Sequence, residues 1–455
     1  MKGRGLCLFY SRMVQTIEMQ QMAGHMNASV PSNDYLRSLV QVGRVHSRAY
    51  TDPAIFDLEM DRIFHRSWVY VGHESEVSKP GDFQARPIGR VPVIMVRGKD
   101  KQIRVLVNRC RHRGAQVVET ESGNTRMFRC WYHGWTYDLT GDLTEVTQRG
   151  GYGPDFKMED MGLSAVPRVA THRGFVFASL APEGQSLSDF LGGAAAQFDM
   201  LVDASPTGEI YLDAGVNKTE YLGNWKLVGM DGYHPNFVHA SVVAGWARNS
   251  DSGIGSMHRE DPFTDEALTL TRDYGNGHSM LDFRAQRLKS YSKHANLLSK
   301  VPGGTTYIED MHKAYGQQRA ELLISLAGDP HLGIFPNLQL IGNQVRIITP
   351  ITPSMTQVTM SMVRLGGVSD DINTMRIRQH ESFYGPAGSG SPDDAEIFER
   401  VQRGMMAEVN PWIEISRGVH REFVDTDGSV VGRITDEVPQ RGQMKHWLHL
   451  MTQSV

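Results

Sequence analysis

A chain of 455 residues is too long for one hydrophobic core and is expected to form two domains or three. Apolar residues make up 40% and charged residues 22%, the balance of a globular protein, and a net charge of −4 with no basic block argues against a nucleic-acid partner. No apolar run approaches the roughly 18 residues needed to span a bilayer, and three cysteines are too few and too odd a number for a stapled secreted scaffold, so the expectation is a reduced, cytoplasmic protein with no membrane partner.

The first stretch, MKGRGLCLFYSR, is basic, but its apolar part is about six residues, shorter than the roughly 7–15 of a secretory signal. Met13, Met19, Met22 and Met26 are all alternative starts, so residues 1–26 are read as a disordered tail. Residues 27–50 are polar and poorly periodic. At 51–66, TDPAIFDLEMDRIFHR has Asp52 placed to cap a helix and Pro53 at its first position. Ile55, Phe56, Met60, Ile63 and Phe64 recur at helical spacing. From Trp68 to about Ser179 the pattern changes to short β-rich runs (WVYVG, VPVIMV, IRVLV, GFVFASL) separated by Gly, Pro, Asp and Asn. After Gln185 helical patterns return, mixed with the strands LQLIG (338–342) and VRIITPI (345–351). In 395–405, Ile397, Phe398, Val401 and Met405 share a helical face. No repeat or low-complexity tract interrupts this plan. It predicts an α+β chain: a small antiparallel β domain over 66–185, inserted near the front of a larger domain made from 27–65 and 186–455.

Two of the three thiols lie inside the β domain, each with a histidine: Cys110-x-His112, then seventeen residues, then Cys130-x-x-His133. Two thiolates and two imidazoles from two loops can surround one metal centre. Tetrahedral zinc is the first competitor, but its usual order is both cysteines and then both histidines. One of each per loop suits a Rieske [2Fe–2S] cluster, in which two histidines hold one iron and two cysteines the other. Gly114 and Gly134 permit tight loops, and Trp131, Tyr132 and Trp135 are expected to screen the cluster from water. Cys7 has no partner in this scheme.

NRCRHRGA (108–115) and CWYHGWTYDLTGDL (130–143) resemble the cluster loops of the Rieske non-haem iron oxygenases, the catalytic α subunits of aromatic-ring-hydroxylating dioxygenases. That resemblance implies a second, mononuclear Fe(II) site downstream. The segment NWKLVGMDGYHPNFVHAS (224–241) supplies Asp231, His234 three residues on and His239 five later, and shares the family's NWK entry and HAS exit. Two histidines and a carboxylate on one side of ferrous iron leave open positions for oxygen. Spacing alone leaves Asp231 a candidate for that carboxylate. The resemblance instead makes Asp231 a bridge between His234 and a cluster histidine of a neighbouring subunit, and carries the ligand role to Asp394, with Asp393 as the alternative, after Tyr384-Gly385-Pro386-Ala387-Gly388. Ser391-Pro392-Asp393-Asp394 also reads as a helix start with Ser391 as its cap.

The resemblance further implies that electrons pass from the cluster to the iron by way of His133, Asp231 and His234, and that O2 is the co-substrate in aromatic hydroxylation, most often to a cis-dihydrodiol. The chain has no complete G-x-G-x-x-G motif and no cysteines left for a ferredoxin module. An external NAD(P)H-dependent reductase, with or without a ferredoxin, is therefore expected. The inter-subunit bridge implies a trimer. The tail, with QRGQMKHWLHLM at 440–451, implies a small β subunit and an α3β3 assembly, with α3 as the alternative. A Rieske monooxygenase or demethylase uses the same centres, and a Rieske electron carrier is a reading from another class. The latter gives Asp231, His234, His239 and Asp394 no joint role. Arg346 and Arg364 are candidate anchors for a carboxylated substrate.

Overall fold

A computed structural model of the chain describes residues 30–231, 234, 268–388 and 390–453. The tail over 1–26 and His239 lie outside these residues. Every strand pairing among them is antiparallel, as the α+β expectation required. The polar stretch before residue 50 is not irregular. It forms a helix at Asn33–Ser38 and two short strands, the second of which pairs with Trp412–Glu414. That pairing depends on a partner far away in sequence, so no local pattern announces it.

The helix expected at 51–66 starts as read. Asp52 caps it, its side chain accepting from Ala54 N at 2.9 Å, and Pro53 follows. Regular winding stops at Glu59, however. Helix α1 (Pro53–Glu59) continues as a single π-turn, Met60–Phe64. Ile55, Phe56, Met60, Ile63 and Phe64 are all buried.

Between residues 69 and 179 lie three small sheets: one of four strands built on Asp82–Ile88 and Val91–Arg97, one of three around Thr136–Tyr137, and one of three in which Val69–His73 pairs with Phe175–Ser179. The last sheet is stitched to the rest of the chain by Asn337, whose amide pairs with both backbone groups of Tyr70 (3.0 and 2.9 Å) and so imitates a strand neighbour.

The rest is organised on a nine-stranded sheet, in which Gln344–Thr352 lies between Leu338–Ile341 and Met355–Met362. Its residues alternate between two cores. Val345 and Ile347 face the core that contains Tyr307, Met311, Leu323 and Ile324 from helices Gly304–Tyr315 and Gln317–Leu326. Ile348 faces the other core, with Trp225, Leu227, Phe398, Met444 and Trp447. This second face receives α1, helices α2 (Asp370–Tyr384), α3 (Ser391–Gly404) and α4 (Val438–Thr452), and the segment carrying Asp231. Among the described residues no helix is long and apolar enough to cross a membrane.

Two histidines are packed where α4 meets the sheet. His278 is fully buried, its Nε2 against Phe190 O at 2.7 Å, and burial pushes its pKa down to about 4. His446 lies edge-on to Phe335 and is pushed down to about 3, again chiefly by burial. Both must be neutral in the folded chain but can charge near pH 6.5 once unfolded. Their contribution is therefore complete above about pH 6.5 and is lost as pH falls toward 4, at roughly 1.4 kcal/mol per pH unit for each group. A series of thermal unfolding curves should show the midpoint falling over that window, and His446→Leu should shallow the slope.

Candidate functional site

The two thiol–histidine loops have one frame. Cys110 N donates to Ala115 O (2.8 Å) and Gly114 N to Cys110 O (3.0 Å); Cys130 N donates to Trp135 O (2.8 Å) and Gly134 N to Cys130 O (2.9 Å). Each turn closes on a glycine four residues after its cysteine, at φ +78 and +73, where a side chain would be strained. On this frame His112 takes the second position after its cysteine and His133 the third. The two imidazoles face each other with ring centroids 4.6 Å apart. The buried side chain of Asn108 holds the first loop, accepting from Val117 N and Val118 N and donating to Val118 O.

The donor set fits a [2Fe–2S] cluster. Cys110 and Cys130 are buried and unbridged, and their thiols lie close enough to raise the pKa of Cys130, after burial, the larger cause. His112 Nδ1 and His133 Nδ1 are both buried with no hydrogen-bond partner among the described residues. An isolated buried imidazole nitrogen is costly; a pair of them beside two thiols is what two metal ions would satisfy. Burial, then the neighbouring His133, holds the pKa of His112 below its usual value, in the neutral form that binds metal.

Screening differs from expectation. Trp135 is buried and stacks on His112 (5.0 Å, 9° between planes) under Tyr152 and Phe156. Trp131 is 89% exposed and does not shield the site within one chain, whereas Tyr132, 59% exposed, still packs its ring on His133 at 3.8 Å between centroids. The residue missed from the sequence is Tyr137. Its hydroxyl lies 3.2 Å from Cys110 Sγ and accepts from Arg111 N at 3.1 Å. It lies within the quoted motif but carries no spacing signal.

The segments that carry the second set of candidate residues are tied to one another from three directions. Leu227–Asp231 is a second π-turn, and His234 is half-buried just beyond it. Asp393 and Asp394 lie in the first turn of α3, both half-buried. Ser391 is not the cap of that helix. Gly390 holds that place, and the Ser391 hydroxyl accepts from Arg346 Nη2 at 3.4 Å. Helix α3 is pinned to the chain that enters the π-turn: Leu222 N donates to Glu399 Oε1 and Asn224 N to Gln402 Oε1, both at 3.0 Å. The sheet joins them too, because Gln339 Nε2 donates to Val228 O at 2.7 Å and Gln339 lies directly opposite Arg346. Cross-strand partners share a face. Arg346 therefore shares the sheet face that meets the π-turn at Val228 and reaches the start of α3; it is buried, with its guanidinium 5.0 Å from the Tyr384 ring centroid. With its amide oxygen toward Arg346, Gln344 accepts from Nε (2.7 Å) and Nη2 (2.6 Å) and donates to His380 Nε2 (3.2 Å). Arg364 is elsewhere, paired with Asp213 at the surface.

When the cluster is bound, Tyr137 O–H donates to an electron-rich sulfur and stabilises the reduced form. Tyr137→Phe should lower the cluster's midpoint potential on the order of tens of millivolts, in a redox titration followed by EPR, with the signal shape retained.

The Rieske [2Fe–2S] domain family matches residues 67–167, and the ring hydroxylating alpha subunit (catalytic domain) family matches residues 207–445. The chain is 34% identical over 395 residues to the anthranilate 1,2-dioxygenase large subunit of Acinetobacter baylyi, covering 84% of this chain and 81% of that one. It is 31% identical over 446 residues to the toluate 1,2-dioxygenase subunit alpha of Pseudomonas putida, covering 93% and 95%. Among solved structures, naphthalene 1,2-dioxygenase from Rhodococcus sp. bound to indole superposes with a TM-score of 0.75 at 26% identity, covering 92% of this chain and 99% of that one. The chain thus belongs to the ring-hydroxylating alpha subunit family, as the catalytic subunit of a Rieske non-haem iron dioxygenase with a [2Fe–2S] cluster and a mononuclear iron.

Proposed function

We propose that this chain cis-dihydroxylates a benzene ring bearing a carboxylate, with Arg346 as the anchor for that group. The observation that carries the reading is the place of Arg346, buried opposite Gln339, which bonds Val228 in the π-turn that ends at Asp231, and reaching Ser391 at the start of α3. Relatives named for anthranilate, 2-halobenzoate and toluate support it, since all three compounds are carboxylated rings. A planar guanidinium matches a carboxylate two-fold and stays charged at any working pH.

In this reading Cys110, His112, Cys130 and His133 hold the cluster, His234, His239 and Asp394 hold the iron, and Asp231 joins His234 to a cluster histidine of a neighbouring subunit. Bound there, the cluster supplies single electrons and the iron supplies oxygen activation. The chain's own work is placement. Arg346 fixes the ring by its carboxylate so that two adjacent carbons face the histidines, and the buried setting of the Gln339 face keeps water from them. The balance is arene plus O2, two electrons and two protons to a cis-diol. The electrons come from NAD(P)H through a separate reductase, directly or through a ferredoxin. A trimer is needed for the Asp231 bridge, and an α3β3 assembly with a small β subunit is our preferred form. The domain limits that go with this reading are 66–185 for the cluster domain and 27–65 with 186–455 for the catalytic one.

Two measurements test it. Protein purified without oxygen should hold about three irons and two acid-labile sulfides per chain, falling to about two and two in His234→Ala and Asp394→Ala. Zinc without sulfide would end the reading. With reductase supplied, benzoate-type rings should be turned over faster than benzene or biphenyl. Arg346→Met should raise KM for the carboxylated ring about 10–100-fold and leave turnover of a neutral ring largely intact. Equal losses on both would instead assign Arg346 to holding α3.

A further inference from the structure

The most deeply buried charges among the described residues are Glu59 and Lys226, both with no exposed surface. Lys226 Nζ lies 2.5 Å from Glu59 Oε1, Trp447 Nε1 donates to the same oxygen at 2.7 Å, and Trp225 Nε1 donates to Oε2 at 2.8 Å. The ammonium also lies over the rings of Trp225 (5.1 Å), Tyr50 (5.4 Å) and Trp447 (5.9 Å). The pair's place along the chain is specific. Glu59 is the last residue before the π-turn Met60–Phe64, and Lys226 the last before the π-turn Leu227–Asp231. Phe64, the last residue of the first turn, packs edge-on to Trp225, two residues before the second, at 5.1 Å. π-turns recur at functional sites because they re-aim the residues that follow.

We propose that Glu59 and Lys226 are positioning residues for the mononuclear iron site: their ion pair clamps the two π-turns together and sets the direction in which the chain presents Asp231 and His234. This rests on the reading that those residues serve the iron. Simple stability does not account for the pair. A buried ion pair is often no more stabilising than apolar residues of the same volume, because desolvation offsets the attraction. An apolar contact, though, can slide and rotate. A carboxylate met by three donors cannot, and Lys226 is only five residues from Asp231.

The test is the double variant Glu59→Gln with Lys226→Met, which removes both charges and keeps the volume, in the holo-oligomer with reductase. The expected result is a thermal midpoint and reduced-cluster EPR signal close to wild type. Ferrous iron affinity at the iron-free mononuclear site should be about tenfold weaker, and the hydrogen peroxide released per O2 consumed should rise several-fold. Wild-type iron affinity and coupling in a folded double variant would overturn the proposal. Should the double variant not fold, Trp447→Phe removes one donor and leaves the charges paired. It should weaken iron affinity and coupling in the same direction by a smaller factor, and wild-type values for both there would equally overturn it. His234→Ala, run alongside, separates the two claims: full turnover in that variant sinks the iron assignment, whereas a dead His234→Ala beside an unaffected double variant sinks only the positioning role.

Discussion

A carboxylate taken wholly out of water must find partners for its lone pairs or cost several kcal/mol, and Glu59 finds them only where three remote stretches of chain meet. Its donors are 166, 167 and 388 residues away, on Trp225, Lys226 and Trp447. The N-terminal arm, the entry to the Asp231–His234 segment and α4 therefore cannot pack independently: removal of any one leaves a buried charge without its full shell. This explains why residues 53–64 belong to the core of the catalytic sheet although the Rieske match at 67–167 separates them from it in sequence. The same junction holds the π-turn that ends at Asp231.

What the sequence revealed was local or chemically unusual. The Asp52-Pro53 start, the strands VPVIMV, IRVLV and LQLIG, and the buried face of 55–64 follow from short-range rules and were legible as such. Four thiol and imidazole groups in 24 residues were legible because such a pattern has few uses. What was not legible had its cause elsewhere in the chain. Glu59 reads as an ordinary helix acid, since nothing nearby marks it as buried. Ser391 has every local feature of a cap, yet its hydroxyl is engaged by Arg346, 45 residues earlier. The π-turn at Leu227–Asp231 is a departure from regular helix that no local pattern announces. Asp394 was reached only through the register of a family motif, because an acid in a first helical turn is what any helix prefers.

The corner around α3 has a definite charge. His380 is pushed down to about 4, first by burial and then by Arg346, so it is neutral at working pH. Burial, and after it Asp329, pushes the Tyr384 phenol well above its usual value, so it too is uncharged. Arg346 remains cationic beside them, and the positive end of α3 adds to its field at Ser391. An ionised carboxylate is what such a corner stabilises. A guanidinium presents its N–H donors in a fixed planar fork, the geometry that matches a carboxylate. A carboxylated ring, the substrate class proposed above, would add an ion pair with Arg346 that a neutral hydrocarbon cannot make.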